Sequence, residues 1–204
     1  MQKLRDTKQE TKAIIDLLHI SRDQNVLELG TGTGEFAIEA ARHCATLHAV
    51  DVSPAMLDHA RQKAKLQGIS NIRFHHAGFL TYEHQDEPLD VVVSQLAMHH
   101  LPDFWKLVAL RRIFEMLKKG GRFYLMDIVY SFEPGNYEDF FYNWIENVGQ
   151  ATGEEMAQDT AMAIQKEFQT FDWVIEGLLK RAGFHVEKAE YYEGFIAVYL
   201  CTCD

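Results

Sequence analysis

Apolar blocks of strand length alternate with longer amphipathic stretches along most of this chain. Residues 8–20 carry Ile14, Ile15, Leu17, Leu18 and Ile20, a helix-like face. Residues 25–29 form a short apolar run that ends in glycines, as a buried strand does. An Ala-rich helical stretch (35–43) and a second strand (46–50) follow. Ser53 before Pro54 predicts a helix start, with the hydroxyl at the cap and proline at the first helical position. Residues 72–74 and 90–94 give two more strands, and 103–118 a helix closed by Lys118, Lys119 and Gly120. A fifth strand covers 122–129. After Tyr130 the pattern turns helical across 136–182, and a strand pair near 184–190 and 194–201 ends the chain.

Strands alternating with helices at this spacing predict an α/β fold. Its expected form is a doubly wound, mostly parallel seven-stranded sheet, with a helical insert or cap over 131–182 after strand five. With no linker-like stretch and no repeat, residues 1–204 read as one domain. No apolar stretch approaches the roughly 18 residues of a membrane span. The start, MQKLRDTKQETK, is too polar for a signal peptide. A formal charge of −10 and the absence of a Lys/Arg run argue against gripping a phosphate backbone. Cys44, Cys201 and Cys203 are odd in number and read as cytoplasmic thiols, and no His/Cys/Asp spacing predicts a metal site.

The chemistry concentrates in Val26-Leu27-Glu28-Leu29-Gly30-Thr31-Gly32-Thr33-Gly34-Glu35, a strand, three glycines at alternate positions, then a helix. Glycines let a ligand approach the backbone, and free N–H groups at a helix start attract an anion. Asp51 ends the second strand 21 residues after Gly30, where an acid can accept both ribose hydroxyls of a nucleoside. A nicotinamide site would want its third glycine at position 35, which is Glu35; here it is Gly34.

These residues resemble the class I S-adenosylmethionine-dependent methyltransferases, whose first motif reads V-L-(D/E)-x-G-x-G-x-G. VLELGTGTGEF, AVDVSPAML, LDVVVSQLAMHHL and LKKGGRFYLMD match in order over roughly residues 22–129. The resemblance implies a Rossmann-like fold and the cofactor S-adenosylmethionine, leaving as S-adenosylhomocysteine. It places the methionine end over Gly30, Thr31, Gly32 and Gly34, oriented by Glu28. Asp51 would hold the ribose, with Val52 and Met56 beside the adenine. The family's acid after strand three is replaced by Gly78, so Gly78 and Phe79 are expected to frame the adenine. Ser94 and Gln95, ending strand four, would border the cofactor.

Ser94-Gln95-Leu96-Ala97 is not the Asn/Asp-Pro-Pro-Tyr/Phe stretch of base-amine methylases. His99-His100-Leu101-Pro102 resembles the family's small-molecule branch. His100, and with less weight His99, are the candidate general bases for a protonated acceptor. In the aromatic insert, Tyr142 and Trp144 are the candidate substrate residues. The insert, or a second subunit as in a homodimer, must supply much of the cover. The expected function is methyl transfer to a small molecule in the cytoplasm, without nucleic acid or membrane. The alternatives are a non-catalytic S-adenosylmethionine-binding regulator and an RNA or protein methyltransferase.

Overall fold

The apolar runs that end near residue 130 lie side by side as parallel strands in the computed structural model, which describes residues 7–203. Residues 1–6, the first half of the polar start weighed as a leader, and residue 204 lie outside the described residues; residues 7–12 of that start are helical. In chain order the elements are α1 (Thr7–Leu17), β1 (Asn25–Leu29), α2 (Glu35–Ala40), β2 (Thr46–Asp51), α3 (Pro54–Leu66) and β3 (Ile72–His76). Then come β4 (Leu89–Gln95), α4 (Asp103–Met116), β5 (Leu117–Tyr130), α5 (Tyr137–Thr152) and α6 (Glu154–Lys166). β6 (Thr170–Phe171), α7 (Asp172–Ala182), β7 (His185–Tyr192) and β8 (Ile196–Thr202) complete the chain.

The sheet order is β3-β2-β1-β4-β5-β8-β7, with the two-residue β6 paired to the end of β5 off this path. β1 to β5 pair parallel, and β8 runs antiparallel between β5 and β7. This is the doubly wound sheet the pattern predicts. Strand order reverses between β1 and β4, and open α/β sheets bind ligands at the carboxyl ends beside such a reversal.

Neighbouring residues of a strand feed opposite cores. Leu27, Leu29, Val92 and Phe123 pack with Leu110 and Ile113 of α4 and Ile175 and Leu179 of α7. Val26, Leu47, Val91 and Val93 pack instead with Ile14, Ile15 and Phe36 from the side of α1 and α2. A sheet covered on both faces needs continuous apolar runs rather than alternation, hence the three consecutive valines of β4. Ser53 caps α3 as expected, its Oγ accepting from Met56 N–H at 3.4 Å.

Two places differ from expectation. Lys118, Lys119 and Gly120 open β5 instead of closing α4. Lys118 pairs with Asp90 of β4, and Gly120 N–H donates to Cys203 O at 2.5 Å, so cross-strand partners replace the last helical turn. The helical segment also divides. α5 and α6 bury no residue fully, whereas α7 buries Ile175, Leu179 and Ala182 in the sheet's helical layer.

The overhang is therefore α5 with α6. Phe140 stacks on Phe132 at 3.8 Å, and Trp144 stacks on Phe195 at 4.1 Å. Phe195 precedes the start of β8, which lies opposite Ile128 near the carboxyl end of β5. No helix among the described residues is long and apolar enough to cross a membrane.

Candidate active site

At the end of β1 the chain turns sharply into α2. Gly30 and Thr31 N–H both donate to Val50 O, at 2.9 and 3.0 Å, tying the loop to β2. Gly30 has φ +82°, and a Cβ there would stand 2.5 Å from Ala97 Cβ. The loop therefore touches the segment that follows β4, and only glycine permits it. Gly34 starts α2 with φ +77° and packs close to Ala60. Gly32 has φ +52° but open space around its Cβ position, where backbone is accessible to a ligand.

Asp51 stands across from this loop. Its Oδ2 accepts from Gly32 N–H and its Oδ1 from Ser53 N–H, both at 2.8 Å. A carboxylate offers about four lone-pair sites. One remains on each oxygen, which suits a vicinal diol such as a ribose. Val52 and Met56 are exposed beside Asp51. A Cβ on Gly78 would lie 2.8 Å from Val52 Cγ1, so these two share one spot, while Phe79 packs half-buried on the core.

Glu28 is buried, and its carboxylate accepts from Thr31 Oγ1 at 2.5 Å. Burial pushes its pKa up to about 8, against the hydrogen bonds from Thr31 and the Ala37 backbone and assisted by the charge of Asp51. It lines a cavity of about 360 Å³ with Gly30, Thr31, Gln95 and, unforeseen in the sequence, Thr11, Thr33, Leu96 and Met126. Ser94 sits fully buried one residue behind Gln95. Leu96 adopts φ +51°, held by its N–H donating to Met126 O at 2.8 Å. A bulky residue in that conformation is strained and marks a functional edge.

Beyond Ala97 the chain makes a short 3-10 turn, Met98–His100. His99 is buried, its Nδ1 at 2.5 Å from Asp127 Oδ1 and its backbone N–H donating to Asp127 Oδ2 at 2.9 Å. Burial alone would lower the His99 pKa; the bond to Asp127 and the charges of Asp127 and Glu167 raise it above the ordinary value. Glu167 follows α6 and faces both imidazoles, 3.4 Å from His99 Nε2 and 3.5 Å from the exposed His100 Nδ1. Phe168 N–H donates to His99 O at 2.9 Å, and the buried Lys106 ammonium donates to Phe168 O and Asp103. Burial first, and Glu167 second, push the Tyr130 phenol up to about 12.

The structure thus brings Glu28, the glycine loop, Asp51 and Gln95 to one half of the carboxyl edge and His99 and His100 to the other. Trp144 lines a separate cavity of about 700 Å³ with Phe140, Asn147 and Phe195, and no residue lines both cavities. Tyr142 is exposed and lines neither. Asp127 ends the FYLMD stretch that carries the resemblance, though nothing marked it as a partner of His99. Lys106 and Glu167 left no local signal.

A methyltransferase-domain family model matches residues 26–121. An uncharacterized methyltransferase of Bacillus mycoides is 27% identical over 162 residues, covering 79% of this chain and 70% of the relative. The Synechocystis magnesium protoporphyrin IX methyltransferase, solved with bound S-adenosylhomocysteine, superposes with TM-score 0.69 at 14% identity, over 97% of this chain and 83% of that one. The N-methyltransferase NodS of Bradyrhizobium japonicum superposes with TM-score 0.64 at 17% identity, over 98% of each chain. At these identities the likeness of the solved structures is one of fold.

Proposed function

We propose that this chain is a class I S-adenosylmethionine-dependent methyltransferase, as its match to a methyltransferase-domain family model and to methyltransferase relatives supports, and that it methylates a small molecule held beside the glycine loop. One observation carries the cofactor assignment: both Asp51 oxygens are fixed by backbone N–H groups with a lone pair each to spare, opposite the open Gly32 backbone. The sulfonium of S-adenosylmethionine supplies an electrophilic methyl carbon and leaves as a neutral thioether. Glu28 orients the cationic methionine end from the 360 Å³ cavity, ionising as it does so. Gln95 and Leu96 form the boundary between that cavity and the histidine turn. Alignment and exclusion of water are the protein's main contributions to such a displacement.

The acceptor lies on the His99–His100 side, where a protonated nucleophile can give up its proton. Trp144 and Tyr142 lie on α5, which packs through Phe140 on Phe132 and through Trp144 on Phe195 near the carboxyl end of β5. The Synechocystis neighbour is named for a tetrapyrrole, a small molecule, which agrees with this acceptor class. The charge of −10 argues against nucleic acid and goes with a cytoplasmic small-molecule enzyme.

The test is incubation with isotopically methyl-labelled S-adenosylmethionine and a whole-cell extract separated into metabolite, RNA and protein fractions. Label is expected in metabolites, each gaining one methyl by mass spectrometry. Label confined to RNA or protein overturns the acceptor class. Binding of S-adenosylhomocysteine without label in any fraction makes the chain a non-catalytic regulator.

A further inference from the structure

Among the described residues, His99, His100 and Glu167 offer one ligand atom each within 4.8 Å of one another. We infer that they form a site for a divalent transition-metal ion of the zinc or iron type. The ion's role rests on the reading of this wall as the acceptor side; the site itself does not.

The distances favour a shared ion over direct hydrogen bonds. Charge-assisted N–H···O bonds run about 2.7–2.9 Å, yet Glu167 stands 3.4 Å from His99 Nε2 and 3.5 Å from His100 Nδ1. Ligands bound about 2.1 Å from a tetrahedral ion are separated by about 3.4 Å. The distances from His99 Nε2 to Glu167 Oε2 and from His100 Nδ1 to Glu167 Oε1 have that length, so the carboxylate offers one oxygen toward each imidazole.

The surroundings of each ligand point the same way. His99 Nδ1 is engaged by the buried Asp127, which leaves Nε2 to present its lone pair to the group. A carboxylate behind a ligating histidine is the usual means of fixing its tautomer and ring. Glu167 is steadied by Gln169 Nε2, donating to its Oε2 at 3.0 Å. The next residue, Phe168, is bonded through N–H to His99 O and through its carbonyl to Lys106. His99 and His100 share one turn and Glu167 is remote from them in sequence, yet these bonds hold it beside them.

Lys106 is the nearby cation, and it is paired with Asp103 at 2.9 Å. Asp127 and Glu167 remain to balance a dication. Two imidazoles with a single carboxylate select zinc or iron over magnesium or calcium, which prefer oxygen ligands. His100 is exposed, so the remaining coordination position opens outward. A hydroxyl or thiol of the acceptor bound there would release its proton to solvent more readily, as metal-bound water does.

The experiment uses the full chain stripped with chelator and titrated with Co(II), followed by visible absorption and calorimetry without S-adenosylmethionine. One equivalent per chain is expected, with visible bands of a nitrogen- and oxygen-ligated ion; Zn(II) should displace it and Mg(II) should not. His100→Ala and Glu167→Gln should each weaken Co(II) binding at least tenfold, and Asp127→Asn about 10–100-fold. Exposed His59→Ala is the control and should bind as wild type. Circular dichroism confirms folding; His100→Ala and Glu167→Gln alter partly exposed side chains, so they carry the test if Asp127→Asn unfolds. No Co(II) binding below millimolar, or undiminished binding by folded His100→Ala and Glu167→Gln, overturns the site. Because S-adenosylhomocysteine binding is measured separately, failure here is distinguishable from failure of the cofactor assignment.

Discussion

The two halves of the carboxyl edge are built by opposite means. The half we assign to the cofactor is mainly backbone: Gly30, Gly32 and Gly34 with positive φ, and N–H groups of Gly32 and Ser53 fixing Asp51. Gln95 apart, its residues lie in two short stretches, 28–34 and 51–53. The half we assign to the acceptor is mainly side chains: His99, His100, Asp127 and Glu167, supplied by the turn after β4, the end of β5 and the segment after α6. A site for a shared cofactor can be frozen into a loop. A site for a particular acceptor is assembled by the fold, where it can vary without disturbing the sheet.

The largest effect should appear in the cofactor half, at Glu28. Its folded pKa of about 8 lies above the ordinary 4.5. The folded chain therefore holds a proton that the unfolded chain releases, and stability falls as pH rises from about 4.5 to about 8. Denaturant melts at pH 5 and pH 9 should show Glu28→Gln escaping a loss on the order of 3–5 kcal/mol that wild type suffers. Parallel curves for the two proteins would mean that Glu28 is not the buried acid described here.

Gly30→Ala should be next, costing about 2–3 kcal/mol through its φ and the approach of Ala97. Gly32→Ala meets no protein atom within 4 Å and should cost about 1–2 kcal/mol in strain, with its main effect on S-adenosylhomocysteine affinity. Equal stability losses for the two would contradict the division between a packing glycine and a ligand-facing one.

In the acceptor half, Lys106→Met should cost about 1–3 kcal/mol by leaving Phe168 O without its donor. It should also weaken Co(II) binding by loosening Glu167, while S-adenosylhomocysteine affinity holds. Matched losses of both ligands would show the halves to be coupled. The smallest effect should be Trp144→Ala, about 1 kcal/mol of lost stacking on Phe195, with cofactor affinity unchanged by calorimetry.

The same contrast explains what the sequence revealed. The sheet was legible because a strand buried on both faces needs a mostly apolar run, and Val26-Leu27, Leu47 with Ala49-Val50, and Val91-Val92-Val93 supply one in β1, β2 and β4. The juxtaposition of the glycine loop and Asp51 was legible because Glu28 to Gly34 are contiguous and Asp51 closes the next strand. Asp127 sat in plain view in FYLMD, but its pairing with His99 depends on β4 and β5 lying side by side. Glu167 follows an exposed helix with no motif around it, and only the Lys106–Phe168–His99 contacts bring it to the histidines. The end of α4 was misread because the partners of Lys118 and Gly120, Asp90 and Cys203, are remote in sequence.

The most direct measurement is calorimetric titration of S-adenosylhomocysteine into wild-type, Asp51→Ala and Glu167→Gln proteins. The account predicts one site per chain in wild type and a loss of about 2–4 kcal/mol for Asp51→Ala. Glu167→Gln should stay within about twofold of wild type. Failure of wild type to bind, or undiminished affinity in a folded Asp51→Ala protein, would contradict it.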